Sequence, residues 1–155
     1  MRESLYEHAG GEDGLHSFVK QFYTRVLADP LLQPLFGAGK PNHVAHLTAF
    51  TAECFGGPDR FTRAMGGFTG LIAAHRHLQI TEAQRQRFVA LYLATADEVG
   101  LPADAQFREA LRSHVEFGSQ VAHQNSRSRL HEDAIVATRR KAGRLSFPRG
   151  LRLLL

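Results

Sequence analysis

The stretch Ala73-Ala74-His75-Arg76-His77-Leu78-Gln79-Ile80-Thr81 places a histidine ahead of a helix start. Thr81-Glu82-Ala83-Gln84 is a capping box, threonine followed three residues on by glutamine. Well upstream, His43 heads another helical pattern, with His46, Leu47 and Phe50 on one side. An imidazole facing such a helix across a gap is how a protein grips a planar metal cofactor. One ring nitrogen ligates the metal, and the opposite wall controls what else binds.

Outward from this stretch the apolar period is helical throughout. Leu15, Phe18, Val19, Phe22 and Val26 recur at spacings of three and four after Gly10-Gly11, with Tyr23 beside them. Asp29-Pro30 predicts a cap with proline in the first helical position, then a short turn ending near Phe36. Asn42 is expected to cap the next helix, on which His43, His46, Leu47, Phe50 and Cys54 lie at i, i+3, i+4, i+7 and i+11. Phe55-Gly56-Gly57-Pro58 stops it. Gly66, Gly67 and Gly70 predict a loop with one short helix across 59–74, ending near His77. After Thr81 a helix presents Phe88, Leu91, Tyr92, Thr95 and Val99. Pro102 is expected to begin the last, with Phe107, Leu111, Val115, Gly118 and Ala122 inward. No alternating strand pattern occurs, so the fold class is all-α.

The chain has 155 residues, enough for one domain with a core and a ligand pocket. No apolar run reaches the length of a bilayer span, and after Met1-Arg2-Glu3-Ser4 no stretch of signal-peptide type follows, so export is not expected. A single cysteine, Cys54, forbids an internal disulfide and suits a reducing cytoplasm, the expected location. The net charge of +4 is unevenly placed. Residues 126–155 hold eight basic and two acidic residues, whereas 1–125 hold 11 basic and 13 acidic ones. The basic character therefore belongs to the tail, and no nucleic-acid partner is expected for the body. The expected division is a domain over 1–125 and a basic, disordered tail over 126–155. The tail's arginines with Leu145, Phe147, Leu151 and Leu153 also suit contact with an anionic membrane or an acidic partner.

Phe22-Tyr23, Leu35-Phe36, His43 with Leu47, Phe55-Gly56-Gly57-Pro58, His75 and Phe88 follow one another in an order that closely resembles the truncated haemoglobins. In these short globins two helices pack over two around haem. Tyr6-Glu7-His8-Ala9-Gly10-Gly11-Glu12 resembles the family's opening, and Asp29-Pro30-Leu31-Leu32 with Phe-Gly-Gly-Pro looks most like its second group. The resemblance covers residues 4–125. It implies that His75, five residues before Ile80, is the proximal ligand of the iron. His77 would break that spacing and lie on a different helical face. Phe36 matches the aromatic that wedges the haem, and Tyr23 the tyrosine directed at bound ligand. His43 and Leu47 match distal-helix positions, and Phe88 a distal site on the following long helix. The second group usually carries tryptophan where Phe88 stands, a small residue at His43, and proline and phenylalanine shortly after the histidine.

The expected cofactor is therefore haem b with its iron, held without covalent attachment, since no Cys-x-x-Cys-His motif is present. Phe36, Leu47, Phe50, Phe61, Phe68, Leu71, Ile72, Phe88 and Tyr92 are expected to wall the pocket. His46 and Arg76 are candidates for the haem propionates. Tyr23 and His43 are hydrogen-bond donors suited to O₂, each such bond worth roughly 1–3 kcal/mol in an apolar pocket. The expected function is reversible binding of O₂, with NO and CO as further ligands, for oxygen binding and transport. A haem enzyme consuming NO or peroxide with an external reductase is the alternative. A haem-free helical module with zinc at the weak His43-x-x-His46 pair is a third reading.

Overall fold

The computed structural model describes residues 3–37, 39 and 42–127, and all regular structure among them is helical. The helices are α1 (Leu5–His8), α2 (Gly11–Ala28), α3 (Gln33–Phe36), α4 (His43–Cys54), α5 (Arg60–Ala64), α6 (Gly67–Ala74), α7 (Glu82–Glu98) and α8 (Ala105–Arg127). Helix α2 packs on α4 and on α7, and α7 packs on α8. This is two helices over two, the arrangement expected from the sequence.

The stripe on α2 explains the packing. Leu15, Phe18, Val19, Phe22 and Val26 are all fully buried. Phe18 and Phe22 meet the buried ring of Tyr92 on α7 edge-on, at centroid separations of 4.8 and 5.1 Å. Each such side chain contributes roughly 1.5–3 kcal/mol on burial, and the edge-to-face geometry adds to that.

Helix α1 was not foreseen, although Ser4 and Glu7 form a reciprocal capping box. It turns into α2 through Gly10, whose φ of 92° is left-handed. Gly14 completes the corner, because a Cβ there would stand 2.1 Å from the Ala9 carbonyl oxygen. Asp29 does begin a turn. Its carboxylate accepts the N–H groups of Leu31 and Leu32 and pairs with Arg87 of α7 at 2.6 Å. The helix itself starts later, at Gln33.

Four further expectations need correction. Asn42 stands at the N-cap of α4, but its side chain accepts no capping bond. The loop with one short helix expected across 59–74 is instead two helices, because the glycines at 66 and 67 serve as a boundary rather than an interruption. Gly66 at the N-cap and Gly67 as the first residue of α6 take left-handed φ values of 85° and 56°, while Gly70 lies further inside α6. The last helix starts at Ala105 rather than Pro102, with Asp104 accepting the Phe107 N–H at 2.9 Å. Val99, expected inward, is exposed, because α7 has ended there.

Helix α8 also runs past residue 125. Asn125 and Ser126 are buried, so Ser126 belongs to the helical body. The tail assigned beyond it lies, from residue 128, outside the described residues. No helix among the described residues is long and apolar enough to cross a membrane.

Candidate functional site

His75 is the C-cap of α6 rather than a residue standing free before α7. Its Nδ1 lies 2.7 Å from the Leu71 carbonyl oxygen, and a carbonyl can only accept, so Nδ1 carries the proton. The lone pair is then on Nε2, the form in which imidazole ligates a metal. Burial pushes the imidazole below its ordinary value, and the bond to Leu71 offsets part of that shift. Near neutral pH the ring is uncharged and available.

His77 is different. It is exposed, with a left-handed φ of 67°, and Gln79 two residues on has a φ of 51°. Non-glycine residues take this conformation at a cost of roughly 1–2 kcal/mol each. The segment between α6 and α7 is thus a strained turn that separates the two histidines.

A second group of side chains converges from α2, α3, α4 and α7. Tyr23 Oη and His43 Nδ1 lie 2.5 Å apart. The Phe36 ring stands edge-on to both, with centroids 5.7 Å from each, and stacks at 6.5 Å on Phe88. Phe88 also meets Phe22 edge-on at 4.9 Å. Four residues far apart in sequence, Tyr23, Phe36, His43 and Phe88, therefore form one corner. The phenol is a stronger acid than a neutral imidazole N–H. Tyr23 accordingly donates to Nδ1, which places the His43 proton on Nε2.

The other expected wall residues divide into two sets. Phe36, Leu47, Leu71 and Phe88 are only half-buried, as is Val44, which was not anticipated. Phe50, Phe61, Phe68, Ile72 and Tyr92 are buried in the protein's own core. Phe50 packs against Phe61 with ring centroids 5.0 Å apart. On α4 exposure falls along the helix, from half-buried His43, His46 and Leu47 to buried Phe50 and Cys54.

Arg76 is half-buried, and its Nε is shielded without a hydrogen-bond partner. A guanidinium in that state suits a carboxylate brought by a ligand. No three His, Cys, Asp or Glu side chains gather as a metal site among the described residues. A cleft of about 470 Å³ lies elsewhere, between the α1–α2 corner and residues 99–102. It is lined by His8, Gly14 and Leu101 among others and by no residue of this site.

Residues 4–124 match the family model of the bacterial-like globins. The chain belongs to this family, the truncated haemoglobins. The group 2 truncated haemoglobin YjbI of Bacillus subtilis is 30% identical over 107 residues, 69% of this chain and 79% of the relative. Among solved structures, the haemoglobin of Chloroflexus aurantiacus superposes with a TM-score of 0.69 at 29% identity, over 78% of this chain and 98% of that one. The truncated oxygen-avid haemoglobin of Bacillus subtilis does so with a TM-score of 0.67 at 30% identity, over 76% and 97%. Membership in the family implies haem-based ligand binding.

The residues present fit that group. The globin offers a neutral imidazole with its proton tied back, half-buried apolar side chains on α3, α4, α6 and α7, and an arginine whose Nε is unsatisfied. His75 would hold the metal, and Arg76 a propionate.

Two polar residues went unremarked in the sequence. His114 of α8 is buried against the rings of Phe50, Phe55 and Tyr92, and shares a 3.1 Å hydrogen bond with the Thr51 hydroxyl through Nε2. Burial pushes it down to about 4. Its place three residues after Leu111, on the inward stripe, was the available signal. Ser126 had no such signal.

Proposed function

We propose that this globin binds a diatomic gas reversibly, O₂ first among them and NO or CO besides, at a haem b held by His75. The observation that carries this reading is the Leu71 carbonyl bound to His75 Nδ1 at 2.7 Å, which leaves a neutral nitrogen for the metal. When bound, haem would supply an iron centre that takes up and releases the gas and favours a hydrogen-bond donor beside O₂. The chain's own residues do the rest. Tyr23 orients His43 so that its Nε2–H serves as a donor, while Phe36, Leu47 and Phe88 keep the surroundings apolar and water out. A donor in so dry a setting is worth roughly 1–3 kcal/mol. The likeness to a relative described as oxygen-avid supports the choice of gas.

We further take the domain to end with α8 and the protein to work in a reducing compartment, where the buried thiol of Cys54 stays free. The test of the whole reading is a visible spectrum of the purified protein. A Soret band that shifts with CO and returns when the gas is removed is expected. Protein that stays colourless after addition of haem would overturn the proposal.

A second reading has its own observation. The bonded Tyr23–His43 pair is able to relay a proton, as a haem enzyme consuming NO or peroxide would require. Such an enzyme needs an outside reductant. Steady NO or peroxide consumption on addition of a reductant would favour it, and stoichiometric reaction without turnover would dismiss it.

A further inference from the structure

The turn that separates His75 from His77 is held from outside. The Ile80 N–H donates to Ser126 Oγ at 3.0 Å, and the Gln79 N–H points to the Ser126 carbonyl at 3.4 Å. The Ser126 hydroxyl in turn donates to the His123 carbonyl at 2.8 Å, so its proton is spoken for and its lone pair is presented to Ile80. Ser126 is 2% exposed, in the last turn of α8, and Ile80 is buried. Ser126 thus grips Gln79, the second of the left-handed residues, through its carbonyl and Ile80, directly after it, through its buried hydroxyl. Two left-handed non-glycine residues within three positions persist only where the surroundings over-determine them.

We propose that Ser126 is a positioning residue for the proximal ligand: by pinning the left-handed turn at 77–79 it keeps His77 out of the haem site and leaves His75 as the ligand. The proposal rests on the haem-binding reading above. Without the clamp, residue 77 relaxes toward ordinary backbone and its imidazole, two residues from His75, becomes a competing ligand.

The test compares Ser126→Ala with Ser126→Thr, which restores the hydroxyl. In apo-protein, the Ile80 amide should exchange hydrogen roughly tenfold faster in Ser126→Ala, and Ser126→Thr should return it toward the native rate. With haem added, His77→Ala should leave the ferrous and CO-bound spectra of the native protein unchanged, yet alter them in the Ser126→Ala background. Unchanged exchange at Ile80 in Ser126→Ala would overturn the clamp. Faster exchange with His77→Ala still silent in that background would overturn the selection between histidines. Failure of the native chain to take up haem would defeat the haem-binding reading and the selection with it, while the exchange measurement would still decide the clamp.

Discussion

The imidazole of His75 takes the carbonyl of Leu71 away from the backbone. In a continuing helix that oxygen would accept the backbone N–H of residue 75. Here the His75 N–H turns to Ile72 at 3.2 Å, and the side-chain Nδ1 claims Leu71 at 2.7 Å. The bond that ends α6 is also the bond that sets the tautomer of the His75 ring, so neither can be altered without the other.

His75→Ala should therefore lose haem, and added imidazole should restore a CO-binding spectrum by filling the space. His77→Ala should keep native haem content, since that residue is exposed on the far side of a left-handed turn. The opposite pattern in the two absorption spectra would transfer the ligand role to His77.

Tyr23→Phe removes the hydroxyl that holds His43 at 2.5 Å and leaves the ring packing on Phe36 in place. Stopped-flow release of O₂ should quicken roughly tenfold, because His43, no longer oriented by Tyr23, would lose one hydrogen bond to the gas. CO carries little charge and should respond far less. Equal changes for both gases would mean that the residue acts by its bulk.

His114 makes the fold acid-sensitive. Its imidazole is depressed from 6.5 to about 4 in the folded chain, so between those values the unfolded state binds more protons. Stability is complete above about pH 6.5 and falls as the pH drops toward 4, by roughly 3 kcal/mol in all. Thermal melts of His114→Gln should lack this slope. If they retain it, the acid sensitivity lies elsewhere.

Gly57→Ala should destabilise the fold by about 1–3 kcal/mol through overpacking. A Cβ there would stand 2.7 Å from the Tyr6 ring and 2.9 Å from the Ala52 carbonyl oxygen. Adding Tyr6→Ala should recover part of the lost melting temperature, because the Ala52 backbone remains in the way. Full recovery would show that the ring alone was the obstacle.

Much of the architecture was legible because α2, α4, α7 and α8 are long enough for an apolar period to stand out. The stripe from Leu15 to Val26 is buried throughout. Short elements escaped for physical reasons. Helix α1 has a four-residue body with no buried residue, so its capping box was the sole signal. Helices α5 and α6 hide behind glycines, which mark helix ends in one place and sit within a helix in another. Within the candidate site, the residues that converge from separate helices could be named from position, but not their pairing. That Tyr23 bonds His43 depends on how α2 and α4 pack, and that Ser126 reaches Ile80 depends on a contact between residues 46 positions apart. The polar run beginning at Ser126 resembles the end of a domain, whereas its first residue is a structural part of the loop beside His75.

That separation bears on how the protein is made. Chains leave the ribosome N-terminus first, and early segments begin to fold before late ones exist. Both His75 and His77 are made well before the last turn of α8. On the proposed role of Ser126, a product broken off before residue 126 would carry both histidines with nothing to choose between them. Faithful loading would then depend on completion of α8, and an abundant cofactor during synthesis would favour misligated chains.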